Sequence, residues 1–461
     1  MFDVNTLDFE ERYLVISARD RRFDGRFYTA VTSTGIYCRP ICPARTPARK
    51  NVRFYDHAAS AEAAGFRPCR RCRPELSPGA PGWDVRADLV GRALRLIDDG
   101  IADDGGVAEL ARRLHVSERH LHRLFSAELG TGPLAVARTR RLLLAKQLLT
   151  ETSLPMADVA FAAGFGSVRQ FNAAMKESYR FAPGDLRRSD GPLAAGGLTL
   201  RLGVRQPFEA RALLGFLAAR AVPGVEEVVD HAVYKRRIPG GEVTLTPVTD
   251  HVRLTVTGGD TRHLARIVAR CRRLLDLDAD PHAIAAALEP TMLGPLVAAR
   301  PGLRVPGAWD SFELLVRAIV GQQISVAGAR TILGRIAARS AGIFPSAGEL
   351  AGLDLDGLGL TNRRVTTLRA AAEAVASGEI DLEAGDPAET VAALVELPGI
   401  GPWTAGYVAL RALRDPDAWP DDDLGLRRTM AALAIPLSET ERWRPWRAYA
   451  ALHLWNAEEK S

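Results

Sequence analysis

The sequence predicts a multidomain chain. Three observations carry that expectation: two cysteine pairs near the start, a helix-turn-helix pattern that occurs twice between Pro/Gly-rich breaks, and a change from alternating to helical periodicity after residue 197. The expected fold class is a small zinc-bound α+β domain, an all-α tandem helix-turn-helix domain, an α+β segment and an all-α helix-hairpin-helix domain. At 461 residues the chain exceeds one ordinary core and has room for about three domains. With hydrophobic residues at 47%, charged residues at 25% and no apolar run near the ~20 residues that span a bilayer, a membrane role is excluded. The opening MFDVNTLDFEERY is acidic and amphipathic and lacks the basic and apolar regions of a signal peptide, so the expected compartment is the cytoplasm. Net charge is only +5, but nine Lys/Arg stand against Asp56 and Glu62 between Cys38 and Arg73, a basic face suited to an anionic polymer.

The first element is the cysteine cluster. Cys38-Arg-Pro-Ile-Cys42 and Cys69-Arg-Arg-Cys72 are two pairs separated by 26 residues, the spacing by which two chelating loops give four sulfurs to one tetrahedral Zn2+. Cys38, Cys42, Cys69 and Cys72 are therefore the expected ligands and Zn2+ the expected cofactor. A reducing compartment argues against disulfides among them, and Cys271, in the helical run IVARCRRLL, reads as a core residue. Spacing alone also fits a purely structural zinc knuckle that folds a domain too small to hold itself together.

The flanks Ser33-Thr34-Gly35-Ile36-Tyr37-Cys38-Arg39-Pro40 and Gly65-Phe66-Arg67-Pro68-Cys69 closely resemble the N-terminal domain of the Ada family of alkylation-response proteins, over residues 1–78. The resemblance implies that Cys38 irreversibly accepts a methyl group from a methylated DNA phosphate, and that Thr34, Arg45 and Arg67 contact phosphates. Zinc suits that chemistry because it keeps a thiolate deprotonated at neutral pH.

The second element is helical. Val107 to Leu114, the turn His115-Val116-Ser117 and Glu118 to Leu129 read as helix, tight turn, helix with Ser117 as N-cap. The unit returns at Met156 to Ala163, Gly164 to Ser167 and Val168 to Tyr179, and a long helix around Ala135 to Leu149 joins the two. Two such units with the tail GFGSVRQFNAAMKESYRFAPGDLRR resemble the AraC family of transcription regulators, over residues 85–188. The resemblance implies that the second helix of each unit enters a major groove, with Arg119, His120 and Arg123 facing DNA in the first and Arg169 and Asn172 in the second.

The third element begins at 197, where LTLRLGV and VTLTPVTDHVRLTVTG alternate as strands do, mixed with helical LLGFLAARAV. In the helical remainder, Leu397-Pro398-Gly399-Ile400-Gly401-Pro402-Trp403-Thr404-Ala405 is a helix-hairpin-helix, whose glycines permit the turn and whose second helix offers N–H groups to a phosphate. Pro420-Asp421-Asp422-Asp423-Leu424 then sets an acidic cluster at a helix start.

The hairpin, the aspartates, Leu214 to Ala221 and Val316 to Ser325 together resemble the helix-hairpin-helix DNA glycosylases of the AlkA 3-methyladenine type, which implies an α+β N-terminal subdomain at 197–284 and a glycosylase domain at 285–461. The family's catalytic aspartate directly precedes the next helix, which selects Asp423, whereas counting from Pro420 selects Asp422. The resemblance further implies an aromatic base pocket of Phe216, Trp403, Tyr407 and Trp455, DNA contacts from Gly399, Gly401 and Thr404, and Gln323 where the family often places an apolar wedge. Trp403 stands where strand-cutting members carry a lysine, so no Schiff base is expected. Together the resemblances imply an alkylation-damage sensor, regulator and base-excising hydrolase acting as a monomer on double-stranded DNA, with RNA polymerase a candidate further partner. The alternative is a transcription factor whose last part is a catalytically inert DNA clamp.

Overall fold

The computed structural model describes residues 7–79, 88–187 and 197–458. Residues 80–84 and 188–196, parts of the two Pro/Gly breaks, lie outside the described residues. The chain divides into two compact units, Met1–Arg205 with Val248–Ala269, and Gln206–Pro247 with Arg270–Ser461. Among the described residues no helix is long and apolar enough to cross a membrane.

In the first unit α1 (Phe9–Ala18) starts at a capping box in which Asp8 and Glu11 satisfy each other's backbone N–H. A four-stranded sheet follows: β1 (Tyr28–Val31), β2 (Ile36–Cys38), β3 (Val52–Tyr55) and β4 (Arg67–Pro68), in the order β3-β1-β2-β4. β1 and β2 form a hairpin that pairs Thr29 with Cys38, and β4 runs parallel to β2 with Tyr37 beside Pro68. α2 (Ala58–Ala63) contributes Ala58 and Ala61 to a small core with Tyr28, Tyr37 and Phe66.

The helical part contains α3 (Leu89–Asp98), α4 (Ile101–Asp104), α5 (Gly106–Arg113), α6 (Glu118–Leu129), α7 (Pro133–Glu151), α8 (Met156–Ala162) and α9 (Val168–Tyr179). Ser117 and Ser167 cap α6 and α9, accepting from His120 N at 3.2 Å and Gln170 N at 3.1 Å. The turn before α9 needs Gly164: its φ is +90°, and a Cβ there would lie 2.2 Å from Asp103 Oδ2, a carboxylate gripped by Arg140. α7 begins at Pro133, buries residues on most of its faces and touches both helix-turn-helix units. The strands Leu198–Gly203 and His251–Gly258 pair antiparallel in this unit.

The second unit holds an antiparallel meander of Glu226–Val229, Val233–Ile238 and Gly241–Pro247. Its helices include α10 (Ala210–Arg220), α11 (Ser311–Val320), α12 (Val326–Ala338), α13 (Asn362–Ser377), α14 (Pro387–Glu396), α15 (Pro402–Arg411), α16 (Leu424–Ala432) and α17 (Arg447–Glu458). α11 is buried at every position except Arg317, the pattern of a central helix. A carboxylate inside it must be paired, and Glu313 is held by Arg236 and Arg317, which also bind Glu226.

Candidate functional site

In the first unit the sheet builds the cysteine centre. Cys38 closes β2, Cys69 follows β4, and Cys69 N donates to Tyr37 O at 2.9 Å, so the parallel pairing of these strands sets the two cysteine loops side by side. The turn in which Cys42 N donates to Arg39 O returns the second sulfur of its pair. All four sulfurs lie within 4.8 Å of one another. A tetrahedral Zn2+ with Zn–S bonds of about 2.3 Å puts its sulfurs about 3.8 Å apart, so the donor set fits that ion.

Cys69 and Cys72 are buried, whereas Cys38 and Cys42 are half-buried. Arg39 N donates to Cys72 Sγ at 3.4 Å, and the Arg39 side chain is anchored on Asp24. Hydrogen bonding within the cluster pushes the Cys38 thiol up, with Cys42 the largest cause, and brings Cys42 down to about 7, with Cys38 the largest cause. Four sulfurs drawn this close make one donor set for a dication. Thr34 is exposed in the turn between β1 and β2, Arg45 is exposed three residues after Cys42, and Arg67 in β4 is half-buried. Cys271 is fully buried, as a core residue should be.

The centre is tied to α7 by contacts that sequence reasoning missed. Lys146 Nζ donates to Cys69 O at 3.2 Å and to Glu75 Oε2 at 2.7 Å. Arg73 bonds Glu75, Thr150 and Glu151. Glu62 accepts from Tyr37 Oη at 3.0 Å and from Thr139 Oγ1 at 2.8 Å, and burial raises its carboxyl to about 7. On the recognition helices Arg119, Arg123, Arg169 and Asn172 are exposed, while His120 is half-buried with Arg123 bonded to its ring.

In the second unit a cavity of about 1240 Å³ is lined by Phe216, Trp403, Tyr407, Trp455 and Asp423, so the residues expected to form one site do meet. Asp423 caps α16: Oδ1 accepts from Leu426 N at 2.9 Å and from Trp455 Nε1 at 3.0 Å, and Oδ2 accepts from Trp403 Nε1 at 2.9 Å. The two tryptophans thus fix the carboxylate as well as offering rings, a role with no signal in the sequence. Asp421 and Asp422 are exposed, Asp422 pairs with Arg427, and neither lines the cavity. Trp403 stacks on Tyr407 with ring centroids 5.5 Å apart and an interplanar angle of 14°. Phe216 is different, because guanidiniums approach its ring: Arg220 lies 3.7 Å and Arg411 4.9 Å from the centroid.

The hairpin turn depends on Gly399, whose φ is +87° and where a Cβ would sit 2.2 Å from Thr367 Oγ1. Gly401 is the N-cap residue of α15 and leaves that helix without a side-chain cap, so backbone N–H groups remain for an anion. Thr404 is buried, its hydroxyl accepting from Gln322 Nε2 at 2.9 Å, which leaves only its backbone to face a phosphate. Gln322 also donates to Gly399 O at 3.0 Å and so ties the turn after α11 to the hairpin. Next to it Gln323 is exposed with φ +56°, presented at the tip of that turn.

Three family models match the chain: the metal binding domain of Ada over residues 11–75, a helix-turn-helix domain over 110–189 and the AlkA N-terminal domain over 199–310. A protein of Mycobacterium tuberculosis assigned as a bifunctional transcriptional activator/DNA repair enzyme AlkA is 46% identical, with 97% of this chain and 96% of that protein covered. DNA-3-methyladenine glycosylase 2 of Escherichia coli is 37% identical over 56% of this chain and 96% of its own length. The bifunctional transcriptional activator/DNA repair enzyme Ada of the same organism is 43% identical over 29% of this chain and 37% of its own length.

Proposed function

The chain belongs to the family of bifunctional Ada/AlkA transcriptional activators and DNA repair enzymes, and from that premise we propose that Cys38 accepts methyl groups from DNA phosphates while Asp423 supports excision of alkylated bases. The observation that carries the second half is the aspartate in the cavity lining. Both of its oxygens are held by indole N–H groups and one also by a helix N–H. A carboxylate fixed this way keeps its aim, and it sits beside aromatic rings that can stack on a flipped base. It stabilises the positive charge that develops at C1′ as the C1′–N bond breaks and orients the water that bonds to C1′. Trp403 at the hairpin offers no amine, so the reaction ends at an abasic site.

In the first unit the Cys38 sulfur attacks the methyl carbon of a methylphosphotriester. The S–C bond forms, the O–C bond breaks, and the phosphodiester leaves as its anion. Bound Zn2+ keeps the four sulfurs deprotonated at neutral pH. Four thiolates outweigh one dication, so a methyl on Cys38 removes negative charge that repels DNA phosphates. Thr34, Arg45 and Arg67 hold the backbone, and the exposed faces of α6 and α9 read a promoter. The same reading divides the work among residues 1–78, 85–188, 197–284 and 285–461. It also makes the chain a cytoplasmic monomer on double-stranded DNA, with RNA polymerase the partner of its regulatory part.

The test is release of 3-methyladenine from methylated duplex DNA. Asp423→Asn should lose on the order of 10² to 10³ in rate or more, with DNA binding retained, while Asp421→Asn and Asp422→Asn stay close to wild type. An Asp423→Asn protein that excises at the wild-type rate contradicts the assignment, and Asp422 then becomes the candidate.

A further inference from the structure

Three guanidiniums converge on the aromatic wall of the cavity, and they are not equivalent. Arg317 is neutralised by Glu226, 2.7 Å away, and by Glu313. Arg411 is fully committed: Nε donates to Pro306 O at 2.6 Å, and its two amino groups donate to Tyr407 Oη at 2.7 Å and Gly307 O at 3.0 Å. Arg220 has neither kind of restraint. Among the described residues no carboxylate pairs with it, and its one hydrogen bond is to Phe216 O in its own helix at 3.4 Å. Its guanidinium lies 3.7 Å from the Phe216 ring centroid, in a position a stacked base would otherwise compete for.

The field this makes is legible at Tyr407. Burial pushes the Tyr407 hydroxyl up, yet Arg411, Arg220 and Arg317 outweigh it and hold the group below the ordinary tyrosine value. The wall is therefore electropositive where the base is expected to enter. Such a wall does not treat all damaged bases alike. When the C1′–N bond breaks, its electron pair leaves on the base nitrogen and a water oxygen bonds to C1′. A ring-methylated cationic purine departs neutral, and a neighbouring cation repels it before the reaction. A base that is neutral in the nucleoside departs carrying negative charge until it gains a proton from the attacking water or from solvent, and the same cation stabilises that departure.

We propose that Arg220 is a specificity-determining residue: an uncompensated cation in the base cavity that favours excision of bases leaving with negative charge over bases that arrive with positive charge. The inference rests on the excision reading of this cavity. The experiment compares single-turnover release of hypoxanthine, a neutral purine, with release of 3-methyladenine, using the full chain on duplex DNA carrying each. Arg220→Gln should lower the ratio of hypoxanthine to 3-methyladenine release at least about tenfold, and Arg220→Lys, which keeps the charge, should restore most of it. A ratio that is the same in wild type and Arg220→Gln overturns the proposal, and so does a ratio lost equally in Arg220→Lys and Arg220→Gln. Release of 3-methyladenine without any hypoxanthine by the wild type overturns it while leaving the excision reading intact. Release of neither base overturns both.

Discussion

A single carboxyl can be read in two environments of this chain. Asp423 is held by two indole N–H groups and by the backbone N–H of Leu426 at the start of α16. Glu62 has different surroundings: it sits among the small core of the cysteine-bearing sheet and α7, and burial raises its carboxyl to about 7. An unfolded glutamate titrates near about 4.3. Between those values the folded chain keeps a proton that the unfolded chain has released, so this group's contribution is fully favourable below the window and is lost as pH rises through it. Glu62→Gln, which keeps one oxygen as an acceptor and puts an amide donor in place of the other, much as the protonated carboxyl does, should melt at about the wild-type temperature at pH 5. At pH 8 it should melt higher, by the equivalent of up to about 3 kcal/mol. Thermal unfolding of both proteins across that range checks it, and a difference that does not change with pH contradicts it.

At the scale of elements, the legible features were those written locally. Two cysteine pairs, two Ser-capped recognition helices and a glycine hairpin all depend on residues a few positions apart, and each stands where the sequence put it. That Asp423 rather than Asp422 is the N-cap was legible for the same reason, since an N-cap is defined by the helix that follows it, and the helix starts at Leu424. What could not be read were side chains brought together from far along the chain. Lys146, Glu75, Arg73 and Glu151 are separated by up to 78 positions, and no periodicity marks them as partners. The same holds for Gln322 with Gly399 and for the indole contacts of Asp423. Phe216 reads from the sequence as a base-pocket ring, and its guanidinium neighbours were equally invisible.

The buried pair of Lys146 and Glu75, with side-chain exposures of 3% and 1%, gives α7 a measurable grip on the cysteine loops. Removing Lys146 leaves the buried Glu75 carboxylate with Arg73 as its remaining cation and one oxygen unpaired, so Lys146→Met should cost about 3 kcal/mol. Adding Glu75→Met to it should recover part of that loss, because two apolar groups replace two charges. A double-mutant cycle by chemical unfolding tests this; a double variant whose loss equals the sum of the two single losses contradicts the pairing.

At the scale of the whole molecule, the chain carries two chemistries that share DNA and share no atoms. In the function we propose, one is consumed once, when a sulfur gains a methyl group, and the other turns over, when a carboxylate supports the loss of a base. Cys38 lies in the first compact unit and Asp423 in the second. We propose that these are two independent repair reactions on one chain. The direct measurement is to incubate the zinc-loaded full chain with methylated duplex DNA and read, from the same mixture, the intact protein mass and the free 3-methyladenine. Wild type should gain the mass of one methyl group and release base, Cys38→Ala should release base without gaining mass, and Asp423→Asn should gain mass without releasing base. A Cys38→Ala protein that still gains the methyl mass, or an Asp423→Asn protein that still releases base at the wild-type rate, contradicts it.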